Sequence, residues 1–133
     1  MNKIKIVHTF PLATNLEGAT LNNNDFRRVL HTSENMQVVM MCLKPGEDVG
    51  MEVHEHTEQF FRMEEGSGKA VIGNDTVYLV DGSFILVPKN TRHNVINTGG
   101  TPLKFYTIYS PPMHKPCTVH RTKWDALHDP NEH

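Results

Sequence analysis

Imidazoles, a carboxylate and a carboxamide recur at two fixed spacings along the chain. The first group reads Gly46-x5-Glu52-x-His54-x4-Gln59-x6-Gly66, and the second reads Gly82-x5-Pro88-x-Asn90-x2-His93-x3-Asn97. Two neutral imidazoles and a carboxylate form the donor face that non-haem iron uses and that manganese, nickel, cobalt and zinc accept. Glu52, His54, His56 and His93 hold donors of these types. Gln59 adds a neutral carbonyl oxygen, weak as a ligand and useful as a hydrogen-bonding neighbour. His54-Glu55-His56 is a second tempting pair, and Tyr106 and Tyr109 bring hydroxyls that can donate or release a proton.

Chemistry at one centre requires that these side chains share a face. Successive residues of a strand point to opposite sides, so a strand over residues 49–56 puts Glu52, His54 and His56 together and Val53 and Glu55 on the other side. After a turn near Thr57-Glu58, Gln59, Phe61 and Met63 share a face, with Arg62 opposite. Alternation alone leaves two placements open for Glu52 and His54: inward among apolar neighbours, or outward to solvent on an edge strand. In the 103–109 segment, Phe105, Thr107 and Tyr109 lie on one face and Lys104, Tyr106 and Ile108 on the other.

The rest of the chain reads as strands and turns. Apolar or alternating runs at residues 4–7, 36–43, 49–56, 59–64, 68–72, 76–80, 83–87, 94–96 and 103–109 are each short and each bounded by turn residues. Gly73-Asn74-Asp75 is a good hairpin connection, because Gly and Asn tolerate positive φ. Residues 12–24 show no clear periodicity and read as an irregular arm, while the tail over 111–133 carries one or two helical turns around Trp124 and Leu127. Many short strands in one small unit predict an antiparallel barrel or sandwich.

Composition sets bounds on function. With 133 residues, 38% of them hydrophobic, the chain suits one domain over 1–133 around one buried core. A formal charge of -2 with scattered Lys and Arg gives no footprint for nucleic acid. Residues 1–10 lack the apolar run of a signal peptide or a membrane span, so the expectation is a cytoplasmic protein with no membrane partner. Cys42 and Cys117 make a poor disulfide framework.

The two spaced motifs resemble the paired signatures of the cupins, and with the strands on either side the resemblance extends over most of the chain. It implies an all-β fold, a small antiparallel double-stranded β-helix or jelly-roll barrel, with a motif core at 46–97. The second motif is nearly complete: only its second Gly is changed, to Asn90, and Asn is a common substitute in a left-handed turn. The first motif departs twice, with Glu52 where the family has its first His and Gln59 where it has Glu. Placing His54 and His56 as the family's two histidines would put the acid at Phe60 or Phe61 and break the Gly46 and Gly66 spacings. The resemblance therefore implies Glu52, His54, Gln59 and His93 as the inward quartet. The carboxylate lost at 59 reappears at 52, so the site keeps one negative charge.

In its details the chain looks like the short bacterial cupins grouped with mannose-6-phosphate isomerase. That likeness implies a divalent metal (Fe, Mn, Ni, Co or Zn) and a small-molecule ligand, without fixing a reaction. Three readings follow: a metal-dependent isomerase of a sugar or related hydroxy-carbonyl compound, an iron-dependent dioxygenase, and a ligand-binding cupin without turnover. His56 and Tyr106 are the candidate catalytic groups. His114 and His120 sit in a tail that either folds over the barrel mouth or wraps its outside. Lys89 and Arg92 beside the second motif are the cations nearest to hand for an anionic substrate. A homodimer is the expected assembly.

Overall fold

Phe61, Met63, Phe105, Met41 and Val39 alternate with outward-facing residues along three neighbouring strands, and this period of two builds the core. The computed structural model describes residues 12–132, so the expected strand at 4–7 lies outside the described residues. In chain order the elements are α1 (Leu16–Leu21), β1 (Arg27–Thr32), β2 (Gln37–Leu43), β3 (Glu58–Glu65), β4 (Gly68–Ile72), β5 (Asp75–Leu79), β6 (Phe84–Val87), β7 (His93–Asn97), β8 (Leu103–Ser110), β9 (Val119–His120) and α2 (Lys123–Leu127).

Two sheets result. One has the order β6-β3-β8-β2-β1-β9 and the other β5-β4-β7, and every pairing is antiparallel. Inner faces of both sheets supply one core, with Phe61, Phe105, Met41 and Leu43 from the large sheet and Ala70, Leu79 and Val95 from the small one. Full burial of a Phe or Leu side chain contributes about 1.5–3 kcal/mol. Three connections carry functional residues: the segment from Leu43 to β3, which bridges to β7, the turn from β6 to β7 between the two sheets, and the tail after β8, which returns to β1 of the large sheet.

The strands expected from alternation are present within one or two residues of their predicted ends, with one exception. Residues 49–56 do not form a strand. Gly50 takes φ +105 and donates its N–H to Asn94 Oδ1 at 2.9 Å, which interrupts the extended run. The segment pairs with β7 only through isolated bridges, Asp48 to Ile96 and Glu52 to His93. Strand alternation therefore fails past Glu52, and His56 turns out to solvent.

Three other elements depart from expectation. Within the arm, α1 is capped by Asn15, whose side chain accepts from Gly18 N at 2.8 Å, and Thr20 packs inward. β1 went unassigned in the sequence because Arg27, Arg28 and His31 interrupt its apolar positions. The tail returns along the sheet edge, where β9 pairs with β1; α2, the helical turn expected around Trp124 and Leu127, has Thr122 as its N-cap in a capping box with Asp125. Gly73 takes φ +58 in the β4–β5 hairpin, and Asn90 takes φ 62, the left-handed conformation expected of it. Cys42 and Cys117 are both free thiols. Among the described residues no helix is long and apolar enough to cross a membrane.

Candidate metal centre

Glu52 and His93 are opposite each other by backbone pairing: Glu52 N–H donates to His93 O and His93 N–H to Glu52 O, both at 3.0 Å. A mutual pair of this kind sets the two side chains side by side on one face. His54 is fixed from the second motif, because Asn90 N–H donates to His54 O at 2.8 Å. Gln59, on the inward face of β3, is 2% exposed. Thus two crossing threads and one strand converge on a single point.

One ligand atom each from Glu52, His54 and His93 lies within 4.8 Å of the others, and this group can hold a divalent ion. The state of each donor fits that role. His93 Nδ1–H donates to the Thr91 carbonyl at 2.8 Å, since a carbonyl can only accept. Burial, helped by the neighbouring His54 ring, pushes the His93 pKa down against the pull of that bond, so the ring is neutral and Nε2 carries a lone pair. Burial alone would raise the Glu52 carboxyl, but the His54 ring beside it and the positive charge of Arg27 hold it below its ordinary value.

Two further contacts act as a fit test. His54 Nε2 lies 3.0 Å from Glu52 Oε2, yet it is a buried nitrogen without a hydrogen-bond partner. Gln59 Nε2–H donates to Thr107 Oγ1 at 2.9 Å, which turns Oε1 toward His93 Nε2 at 3.0 Å. Two lone-pair atoms facing each other repel unless a cation accepts from both. Adjacent ligands of an octahedral ion with bonds of about 2.1 Å are separated by about 3.0 Å, so both spacings suit neighbouring ligands. The reversed amide, donating to His93 and accepting from the Thr107 hydroxyl, would satisfy the same pair without an ion.

Beside this group opens a cleft of about 240 Å³, walled in part by Glu52, Arg27, His114 and Glu132. His114 Nδ1–H donates to Glu132 Oε1 at 2.8 Å, and its Nε2 accepts from the Tyr109 hydroxyl at 3.1 Å. The Tyr109 ring stands edge-on to His54 with centroids 5.9 Å apart. Burial lowers the His114 pKa despite Glu132 and raises that of Tyr109, so both are neutral near pH 7.

The expected catalytic candidates fall elsewhere. His56 is 89% exposed beside Glu55. Tyr106 lies on the outer face of β8, its ring 6.4 Å from Phe60, so neither group meets the Glu52, His54 and His93 cluster. Arg62 is likewise outside, paired with Glu64 of its own strand at 2.6 Å. Of the tail histidines, His114 reaches the cleft, while His120 sits in β9 against Arg27 and Asp129. Arg27 and Glu132 had no motif to mark them; the one available signal was an Arg among the apolar residues of Phe26-Arg27-Arg28-Val29.

A family profile described as "Cupin domain" matches residues 39–109, over half of the chain. The chain belongs to the cupin family. Its two sheets form the RmlC-like double-stranded β-helix of that family. This cupin is 47% identical over 123 residues to the Bacillus subtilis protein YrkC, covering 88% of this chain and 66% of YrkC. It superimposes on the crystal structure of BH2720 from Bacillus halodurans with a TM-score of 0.90 at 41% identity, over 95% of this chain and all of that one. A more distant likeness, 29% identity over 82 residues, joins it to mannose-1-phosphate guanylyltransferase RfbM of Salmonella typhimurium, covering 62% of this chain and 17% of that enzyme.

Proposed function

We propose that this cupin is a metal-dependent protein acting on small hydroxy-carbonyl compounds by proton transfer, in the manner of an isomerase. Its ion is held by Glu52, His54 and His93, with Gln59 as a fourth, neutral neighbour. The observation that carries this reading is the convergence of donors: His54 Nε2, buried without a hydrogen bond 3.0 Å from the Glu52 carboxylate, and a Gln59 carbonyl set against the lone pair of His93. A divalent ion there supplies Lewis-acid polarisation of a substrate carbonyl.

The chain's own contribution is proton handling at the adjoining wall. Glu132 locks His114 in the tautomer whose Nε2 accepts from Tyr109, and this neutral pair borders the cleft. A proton leaving the hydroxyl-bearing carbon is accepted there; its return to the former carbonyl carbon, with the hydroxyl proton passing to the former carbonyl oxygen, completes the isomerisation.

The competing oxygenase reading uses the same ligands, and the test separates the two. Anaerobic interconversion of hydroxy-carbonyl isomers by the metal-loaded protein, abolished in His114→Gln, is the expected result. Oxygen consumption without anaerobic turnover assigns the oxygenase, and saturable binding with neither product assigns a binding protein. We further propose a homodimer that covers the outer face of β6 and β3, where Phe84 (65% exposed) and Leu86 (56% exposed) flank Phe60.

A further inference from the structure

Arg27 is a buried cation that the metal centre does not use. It opens β1 on the inward side, opposite Met41 on one neighbouring strand and His120 on the other, and is 6% exposed. A guanidinium has five N–H donors and keeps its charge at any working pH. Among the described residues one hydrogen bond reaches it: Nη1 donates to His120 Nδ1 at 3.4 Å, and that nitrogen is open to accept because His120 Nε2–H donates to Asp129 Oδ2 at 2.8 Å. Its Nε is buried with no hydrogen-bond partner, and its Cζ stands 5.3 Å from the centroid of the Phe26 ring. A buried charge so poorly met is destabilising, and this one borders the cleft that Glu52 also lines.

The remaining charges of the cleft are spoken for. Lys123 is paired with Asp48, Glu132 with His114, and Glu52 belongs to the ion-binding group. With a divalent ion in place, one formal positive charge is left over, and Arg27 is where it is least satisfied.

We propose that Arg27 is the anchor for a carboxylate on the substrate, making the ligand a small hydroxy-carbonyl acid. A carboxylate matches the guanidinium fork in shape and single charge. A phosphate dianion would bring a second negative charge into a wall that already holds Glu52 and Glu132. A cleft of about 240 Å³ is smaller than the roughly 300–1,000 Å³ typical of drug-sized sites, which limits the ligand to a compact acid. This inference rests on the proposed metal-dependent small-molecule site for the ligand's other contacts, but the carboxylate contact is Arg27's own.

The test is calorimetric titration of the full chain, metal-free and manganese-loaded, with three matched probes: glucuronate, glucose and glucose 6-phosphate. Glucuronate is expected to bind most tightly, with affinity falling about ten- to hundredfold in Arg27→Met and partly recovered in Arg27→Lys. Manganese content, measured on the same samples, is expected to stay unchanged across the Arg27 variants. Glucose or glucose 6-phosphate binding as tightly as glucuronate overturns the proposal, as does unchanged glucuronate affinity in Arg27→Met. If Arg27→Met fails to fold, the wild-type probe ranking and Arg27→Lys, which keeps the charge but loses the fork, decide the matter. Arg27-dependent glucuronate binding without manganese uptake sinks the metal reading and leaves this one standing; manganese uptake with glucuronate binding indifferent to Arg27 does the reverse.

Discussion

Glu52 and His93 exchange both backbone hydrogen bonds, each at 3.0 Å, although no regular strand runs through Glu52. This single bridge ties the two sequence motifs together and sets a carboxylate beside an imidazole at the barrel mouth. Because the backbone does the positioning, Glu52→Gln is expected to keep the fold and lose the charge. Affinity for a divalent ion should fall on the order of a hundredfold or more, measured by competition with a chelator. Equal affinity in the variant would remove Glu52 from the ligand set.

Gln59 is expected to separate stability from metal binding. Gln59→Ala strips partners from the buried Thr107 hydroxyl and His93 ring, and should cost about 1–3 kcal/mol in urea unfolding. Gln59→Glu should instead destabilise the metal-free protein by burying a carboxylate and tighten binding of the ion, which supplies the missing charge. A Gln59→Glu protein equally stable with and without metal would contradict the placement of its side chain next to the ion.

Motif spacing and alternation made the barrel legible from the sequence, because each is a local property of a strand or a turn. Gly82 and Asn90 announced positive φ, and the inward faces of β3 and β8 followed from their period of two. What stayed hidden depends on distant partners. The break at Gly50 is stabilised by Asn94, 44 residues away, and without it His56 looked like a neighbour of His54. Arg27, His114 and Glu132 come to one cleft only because the tail returns along β1 as β9, a two-residue strand with no sequence signal of its own.

Acidification should weaken the fold in two stages. Burial keeps the His114 pKa below its ordinary value, so the unfolded chain binds a proton that the folded protein resists, and stability falls as pH drops below about 6.5. Burial alone would raise Glu132, but the hydrogen bond from His114 holds it down, so a second decline follows as pH passes below about 4.5. Urea midpoints between pH 7.5 and 5.5 should show a smaller slope in His114→Gln than in the wild type, with the residual slope due to His93. Identical slopes would mean that His114 is not buried as described.

Gly66 closes β3 in a conformation that other residues resist. At φ +93, a Cβ would stand 2.5 Å from the Pro102 carbonyl oxygen and 3.0 Å from Leu103 Cα, both backbone atoms with little room to yield. Gly66→Ala should lower stability by about 2 kcal/mol or more, read as a drop in melting temperature. A change of less than about 0.5 kcal/mol would show that this turn adapts.

The proposed dimer face gives a simple mass measurement. Phe84→Ser combined with Leu86→Ser should convert a dimer to a monomer in light scattering without altering ion content. A monomeric wild type, or a dimer untouched by both changes, rules out this face.

The most direct test of the account is elemental analysis of protein purified without a metal-affinity step, before and after reconstitution under nitrogen with Fe(II), Mn(II), Ni(II), Co(II) or Zn(II). One divalent ion per chain is expected in the wild type, with less than a tenth of that, roughly, in His54→Ala and His93→Ala. A wild type that carries no ion and takes up none on reconstitution would contradict the metal centre.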